Sequence, residues 1–228
     1  MERPSIVIAT PHRRHDHLEQ RLRVLLSGHE VVRVRARSDL TVDALRRIDP
    51  DFVFFPHWSW LIPKDIHEQF ECVIFHMTDV PYGRGGSPLQ NLIVRGHKET
   101  VMSALKCVQD LDAGPVYMKR PLPLGGTAEE ILTRAAAVIE SMIVEIVQSR
   151  PAPVPQRGDV VHFKRRQPQD GNIGPLTDLR QVTDYIRMLD AEGYPRAFLE
   201  TEHLHVEFSD AQMGNEFVEA RVRIRKRL

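Results

Sequence analysis

Two short segments carry side chains whose types and spacing could do chemistry. Residues 76–90 read HMTDVPYGRGGSPLQ, and residues 110–115 read DLDAGP. A histidine gains or loses a proton near neutral pH, which suits His76 to general acid or base catalysis. A carboxylate beside it, such as Asp112, would fix its tautomer and stabilise its charged form. Two plainer interpretations stay open: a satisfied core histidine and the aspartate of a tight turn.

The elements before His76 predict where it lies. Short apolar runs alternate with helical patterns, which is typical of a parallel sheet covered by helices. The sequence therefore predicts an α/β, Rossmann-like fold with a mostly parallel sheet and helices on both faces. Its first four strands are expected at residues 5–10, 30–36, 51–57 and 72–77. His76 would then end a strand, at the edge where open parallel sheets bind ligands.

The remainder of the first domain follows the glycine-rich loop. Ser87, Pro88 and Gln90 are spaced as a capping box and predict the start of a helix. Further elements are expected at 102–108 and 115–120 as strands, joined by the tight connection 110–114, and at 127–148 as a long helix.

A small second unit is expected after a linker. Three prolines fall between Ser149 and Arg157, which favours an extended connection. The residues that follow predict a small α+β unit with one helix and two strands. In the last strand, Val218 to Ile224, apolar and charged residues alternate, which predicts a half-buried antiparallel strand. The expected domains are therefore 1–148, catalytic, 149–160, linker, and 161–228, C-terminal.

Composition narrows the class of protein. The chain has 228 residues, with 31 Lys and Arg against 31 Asp and Glu. The formal net charge is therefore zero, which does not indicate a nucleic-acid or membrane partner. No apolar run approaches a membrane span and no signal peptide is recognised, so a cytoplasmic protein is expected. Cys72 and Cys107 are interpreted as buried, reduced thiols. No metal is expected, because solvated positions are predicted for His12, His15, His17, His203 and His205.

The two segments resemble the motifs of the formyltetrahydrofolate-dependent formyltransferases. That family's pattern is roughly N-x-H-x-S-L-L-P-x-x-R-G, followed further along by a strand and L-D-x-G. The matching positions are His76, Thr78 for the serine, Pro81, Arg84, Gly85, Leu111, Asp112 and Gly114. The resemblance covers residues 5–148 well and the C-terminal unit more loosely. It is strongest to the sugar-nucleotide N-formyltransferases of bacterial amino-sugar pathways.

The resemblance implies a reaction and its co-substrate. The formyl group of 10-formyltetrahydrofolate would move to an amine through a tetrahedral intermediate stabilised by His76 with Asp112. Thr78, Asn91 and Arg84 are candidates for oxyanion or substrate contacts. The folate is expected beside the loop after the third strand and the loop before Asp112, which contain Trp58, Trp60, Leu61, Ile62, Val108, Gln109, Asp110 and Leu111.

One position departs from the family pattern. The family asparagine, which helps to hold the formyl oxygen, falls at Ile74 here. Isoleucine cannot donate a hydrogen bond, and losing one oxyanion donor costs on the order of 10²–10³ in rate unless another replaces it. Thr78 and Asn91 are the nearby candidates for replacement.

The acceptor amine is less constrained than the reaction. Zero net charge, a short second unit and the GRGGSP loop favour a nucleotide-linked amino sugar over methionyl-tRNA. No nucleic-acid or membrane partner is therefore expected, and a homodimer is left open. Three alternatives remain: a methionyl-tRNA formyltransferase-like enzyme, a formyltetrahydrofolate hydrolase, and a folate-binding homologue without catalysis.

Overall fold

The structure, a computed structural model, describes residues 3–227. Its strands, in chain order, are β1 (Ser5–Ala9), β2 (Glu30–Val34), β3 (Phe52–Phe55), β4 (Cys72–His76), β5 (Tyr82–Gly85), β6 (Glu99–Lys106), β7 (Val116–Pro123), β8 (Val161–Phe163), β9 (Ala197–Glu200), β10 (Leu204–Met213) and β11 (Val218–Lys226). Its α-helices are α1 (Leu18–Leu25), α2 (Val42–Ile48), α3 (Lys64–His67), α4 (Pro88–Val94), α5 (Ala128–Ser149) and α6 (Leu179–Met188). Short 3₁₀ helices lie at Arg13–His15, Arg37–Asp39 and Pro168–Gly171.

The central sheet has the order β2-β1-β3-β4-β6-β7. Strands β1 to β4 pair in parallel, and β6 runs antiparallel to β4. Every residue of β1 and β3 is buried, as expected for strands covered on both faces. The predicted α/β fold with a mainly parallel sheet is confirmed. Because β4 is parallel to β1 and β3, His76 ends β4 at the same sheet edge as Ala9 and Phe55.

Two compact units alternate along the chain. One comprises residues 3–84, 101–122 and 133–162, and the other comprises residues 85–100, 123–132 and 163–227. The proline-rich segment 149–160 therefore belongs to the first unit. Within residues 3–227, no helix is both long and apolar enough to cross a membrane.

Helix capping follows local sequence rules at one place and departs from them at another. Thr41 caps α2 by accepting from the Ala44 amide at 3.2 Å. Ser87, predicted to cap α4, makes no capping bond and adopts a left-handed φ of 50°. Its hydroxyl instead accepts from the Arg166 amide at 3.0 Å, and Gln90 donates to the Met188 carbonyl at 3.2 Å. The predicted capping box is therefore wrong, because both side chains are used in tertiary contacts.

The C-terminal part of the second unit contains a three-stranded antiparallel sheet, β11-β10-β9. It has one strand more than predicted after the helix. The side chains of Val222 and Ile224 on β11 are 47% and 62% exposed. The prediction that this strand is half-buried is therefore wrong. The reason is its edge position, since α6 packs mainly against β10.

Candidate active site

His76 and Asp112, the predicted catalytic residues, lie together and are buried. The Nδ1 atom of His76 is 3.5 Å from Oδ2 of Asp112. The Nε2 atom of His76 is 2.8 Å from the Gly83 carbonyl oxygen. Because a carbonyl only accepts, Nε2 carries the ring proton in the neutral state. The Nδ1 atom then faces the carboxylate, where a second proton would be held between the two residues.

The backbone around Asp112 explains the glycine of the L-D-x-G motif. Asp112 has a left-handed φ of 53°. A Cβ atom on Gly114 would lie 1.8 Å from the Lys106 carbonyl oxygen, which no side chain tolerates. Glycine at 114 thus lets the loop turn tightly against the end of β6 and bring Asp112 under His76.

Thr78 belongs to the same polar network. Its side chain is completely buried, and its hydroxyl donates to the Gly83 carbonyl at 3.3 Å. The Ser103 hydroxyl in turn donates to the Thr78 carbonyl at 2.7 Å. The Gly83 carbonyl is therefore the common acceptor of Thr78 and His76. Sequence reasoning did not identify Gly83, because a backbone acceptor leaves no trace in residue type.

Arg84 points into a contact that the sequence did not predict. Its Nη2 and Nε atoms donate to Oε1 of Gln156 at 2.7 Å and 3.1 Å. Gln156 lies in the segment 149–160 that the sequence predicted to be a linker, and it belongs to neither family motif. Two of the five N–H groups of Arg84 are thereby used within the protein.

Asn91 does not have the free amide that an oxyanion donor needs. Its Nδ2 atom donates to the Gly86 carbonyl at 3.0 Å and to the Lys164 carbonyl at 2.9 Å. Its Oδ1 atom accepts from Arg95 at 3.0 Å. Both amide hydrogens of Asn91 are thus used within the protein, which leaves none to donate to an oxyanion.

The residue that replaces the asparagine, Ile74, lies in an apolar environment. It packs against the buried cluster that contains Phe55, Cys72 and Cys107. Both cysteines are free, and burial raises the pKa of each, that of Cys107 to about 11. They are therefore uncharged thiols that fill the core near Ile74.

The apolar residues expected to flank the folate after β3 divide into a partly buried and an exposed group. Trp58 packs against the same cluster, with its ring centroid 5.7 Å from that of Phe55. Its indole Nε1 is buried and has no hydrogen-bond partner within residues 3–227. The ring centroid of Trp60 lies 4.8 Å from that of Trp58. Trp60 is 39% exposed and Leu61 is 78% exposed. Ile62 packs against the cluster.

The loop before Asp112 contributes to a cavity of about 420 Å³. Val108 and Gln109 line it, whereas Asp110 and Leu111 are exposed and are not among its lining residues. The other lining residues, which the sequence did not suggest, are His67, Glu68, Gln69, Phe70, Glu71, Lys106 and Cys107. Lys106 pairs with Glu71 at 2.7 Å, so the cavity carries a compensated charge pair.

A second histidine cluster lies after β1 and β3. His15 Nε2 is 2.8 Å from His57 Nδ1, and His15 is only 1% exposed. Burial, followed by the charges of His12 and two arginines, lowers the pKa of His15 to about 3. Burial also lowers the pKa of His57 well below its usual value. The prediction that His15 is solvated is therefore wrong, because the 3₁₀ turn directs it inward.

Of the other four histidines predicted to be solvated, two are exposed, and His12 and His205 are half-buried. His17 and His203 are exposed, and His205 is partly buried with Nδ1 3.0 Å from Glu200. Among residues 3–227, no three His, Cys, Asp or Glu side chains are grouped as metal ligands would be.

Comparison with known proteins decides the family. A model described as the methionyl-tRNA formyltransferase C-terminal domain matches residues 168–225. The solved structure of a methionyl-tRNA formyltransferase from Clostridium thermocellum is 45% identical and superposes with a TM-score of 0.95, covering 98% of this chain and 99% of that one. The chain belongs to the formyltransferase family. The family inferred from the motifs at His76 and Asp112 is thereby confirmed.

Formyltransferases of lower sequence identity are similar to part of this chain. A methionyl-tRNA formyltransferase from Thermodesulfovibrio yellowstonii is 22% identical over 189 residues, 79% of this chain and 61% of that protein. This chain thus spans about three fifths of the curated relative it matches. The formyltransferase PseJ from Anoxybacillus kamchatkensis, solved with a UDP-linked formamido sugar and tetrahydrofolate, is 18% identical with a TM-score of 0.55, covering 70% of this chain and 85% of that one. That likeness shows the fold alone.

Proposed function

We propose that this chain transfers the formyl group of 10-formyltetrahydrofolate to an amine. The observation that carries the proposal is a buried pair of side chains. His76 ends β4, and its Nδ1 atom lies 3.5 Å from Oδ2 of Asp112. A titratable ring that faces a carboxylate at this sheet edge is suited to move a proton. Membership of the formyltransferase family supports the folate donor.

The chemistry follows from the two faces of the His76 ring. The unprotonated amine attacks the formyl carbon, and the carbonyl electrons move to oxygen to give a tetrahedral oxyanion. The amine gives up a proton to the pair formed by His76 and Asp112. The Nδ1 atom of His76 accepts that proton. The oxyanion re-forms the carbonyl as the bond from carbon to N10 breaks. The electron pair of that bond stays on N10, which takes up the proton held at Nδ1 as tetrahydrofolate leaves. The product is a formamide, and no net proton is consumed.

We further propose that the His76 Nε2–H holds the oxyanion. In the structure this hydrogen is directed at the Gly83 carbonyl, 2.8 Å away. Ile74 offers no donor, and the amide of Asn91 is committed elsewhere. A developing negative charge is a stronger acceptor than a neutral carbonyl, so the bond would transfer from Gly83 to the oxyanion as the charge forms.

For the acceptor, we propose methionyl-tRNA as the first candidate. The structure that is 45% identical over nearly the whole chain and the model that matches residues 168–225 are both described as methionyl-tRNA formyltransferase. These similarities outweigh the expectation from the sequence that no nucleic acid is bound. They are also more specific than the 18% identity to the sugar enzyme.

A nucleotide-linked amino sugar is the second candidate, and the charge distribution favours it. Residues 161–228 contain eleven Lys and Arg and eleven Asp and Glu. The arginines of β11 are partly compensated, since Arg221 lies 3.3 Å from Asp210 and Arg225 lies 3.2 Å from Glu207. A tRNA-binding face normally carries uncompensated basic residues, because affinity depends on phosphate neutralisation.

One assay separates these proposals. The purified chain is incubated with 10-formyltetrahydrofolate and either methionyl-tRNA, a panel of UDP- and dTDP-linked amino sugars, or no acceptor, and tetrahydrofolate is measured. Release that requires methionyl-tRNA supports the first acceptor, and release that requires a sugar supports the second. Release without any acceptor indicates a hydrolase. Folate binding without release under all three conditions contradicts catalysis.

A further inference from the structure

The segment assigned to a linker is docked along the proposed active site. Val154 and Val116 exchange two backbone hydrogen bonds, each of 2.8 Å, so the segment pairs with the start of β7. Further along, the Val161 amide donates to the Pro81 carbonyl at 3.2 Å. The stretch 154–161 therefore runs from the Asp112 loop to the loop that follows His76.

Gln156 lies between these two attachments and uses its whole amide group. Its Nε2 atom donates to the carbonyls of Asp112 and Gly114, each at 2.8 Å. Its Oε1 atom accepts from both Nη2 and Nε of Arg84. Gln156 is half-buried, whereas Pro155 and Arg157 beside it are exposed. One side chain in an otherwise exposed segment therefore connects the two catalytic motifs.

The Asp112 loop needs such a contact. Asp112 is held in a left-handed conformation, which is unfavourable for a residue other than glycine. Two parallel hydrogen bonds to the carbonyls of residues 112 and 114 fix the orientation of the turn. That orientation sets the distance between the Asp112 carboxylate and His76.

We propose that Gln156 is a positioning residue for the reaction. It holds the Asp112 loop against Arg84, so that the carboxylate faces His76 when the proton moves. This inference rests on the proposed formyl transfer and adds a residue outside the family motifs. Only glutamine fits the role at this reach, because the position needs two donors on one atom and an acceptor on the other.

The test uses two substitutions that separate the two ends of the amide. Gln156→Met keeps the length and the apolar stem but removes donors and acceptor. Gln156→Glu keeps an acceptor for Arg84 but places a carboxylate against the carbonyls of Asp112 and Gly114. The matched control is Gln148→Met, because Gln148 is an exposed residue near the end of α5. Steady-state kinetics of tetrahydrofolate release are measured with the acceptor that supports turnover.

We expect both Gln156 variants to lower kcat by about tenfold or more and to leave KM for the folate within about twofold, because positioning acts on the transition state. Gln148→Met should match the wild type. Added to Asp112→Asn, Gln156→Met should cause no further loss, since both act through the same carboxylate. Losses that multiply in the double variant would overturn the proposal, as would a Gln156→Glu enzyme with wild-type kcat.

Hydrogen exchange gives a measurement that does not depend on turnover. In Gln156→Met, the amides of residues 110–114 should exchange faster than in the wild type, while the amides of β1 and β3 stay protected. Unchanged exchange at 110–114 would overturn the positioning role. A wild-type chain that transfers no formyl group contradicts the proposed function. A wild-type chain that does transfer it, with an unaffected Gln156→Met, contradicts this inference alone.

Discussion

Two histidines, His76 and His15, are buried at the carboxyl edge of the same sheet, and they differ in the residue that faces the ring. At the end of β4, His76 faces the Asp112 carboxylate across 3.5 Å. After β1 and β3, His15 faces a second imidazole, His57, across 2.8 Å. A carboxylate carries a negative charge that can face a protonated ring, whereas a neutral imidazole carries none. Burial, followed by the charge of His12, lowers the pKa of His15 to about 3.

The comparison shows that position in the fold alone does not make a histidine catalytic. Both rings occupy the sheet edge where ligands bind. In the His15–His57 pair one nitrogen must donate and the other accept. Burial lowers the pKa of both rings, so the pair is uncharged at neutral pH. A pair of that kind stabilises structure at neutral pH and cannot store a proton there. Only the pair with a carboxylate fits the proposed transfer.

The largest expected difference between the two pairs is the loss of turnover when each is removed. We expect His76→Ala and Asp112→Asn each to lower kcat by on the order of 10²–10⁴, the range for general acid–base groups. The double variant should be little worse than either single one, because the two residues act as a unit. His15→Gln should keep most of its turnover.

Circular dichroism and thermal unfolding would show that the His76 and Asp112 variants are folded. If His15→Gln lost as much kcat as His76→Ala while remaining folded, both histidine pairs would take part in the reaction. The distinction drawn from the carboxylate would then be wrong.

The family motif is what predicted that His76 and Asp112 lie together. Parallel strands account for the place of His76 alone, because Asp112 follows β6, which runs antiparallel to β4. The glycine at 114 marks a turn that only glycine can make there. Both signals are local in the chain, and the family motif adds the order in which they occur. The mainly parallel sheet followed from the same alternation of apolar runs.

Other features depended on contacts that sequence pattern does not encode. Ser87 obeys the rule for a helix cap, yet its hydroxyl is taken by the amide of Arg166, 79 residues away. Alternation in β11 indicated which residues share a face, but not that Val222 and Ile224 would remain exposed. Gln156 carried no signal except a polar side chain among prolines. In each case a long-range partner decided the outcome.

A second prediction concerns the amide that the His76 site lacks. Ile74→Asn restores the family residue but places it against the apolar cluster of Phe55, Cys72 and Cys107. We expect kcat not to rise and the free energy of unfolding to fall by at most about 1–3 kcal/mol, the cost of a fully buried amide without partners, because Ile74 is partly buried. Kinetics and urea unfolding would be compared with Ile74→Val, which removes one methyl group and adds no polar atom. A higher kcat in Ile74→Asn would mean that His76 does not hold the oxyanion unaided.

The smallest expected effect is a pH dependence of stability from the His15–His57 pair. His15 has a pKa of about 3 in the folded chain against 6.5 for an ordinary histidine. Between these values the unfolded chain binds a proton that the native chain does not, so the free energy of unfolding decreases as pH falls below about 6.5. One such group contributes at most about 1.4 kcal/mol per pH unit. Between pH 7.5 and pH 5, the free energy of unfolding of His15→Gln, measured in urea, should therefore decrease less steeply than that of the wild type.

His203→Gln is the matched control, because His203 is exposed and its substitution should leave the pH dependence unchanged. A His15→Gln slope equal to that of the wild type would mean that His15 is not held neutral in the fold, and the contrast with His76 would lose its physical basis.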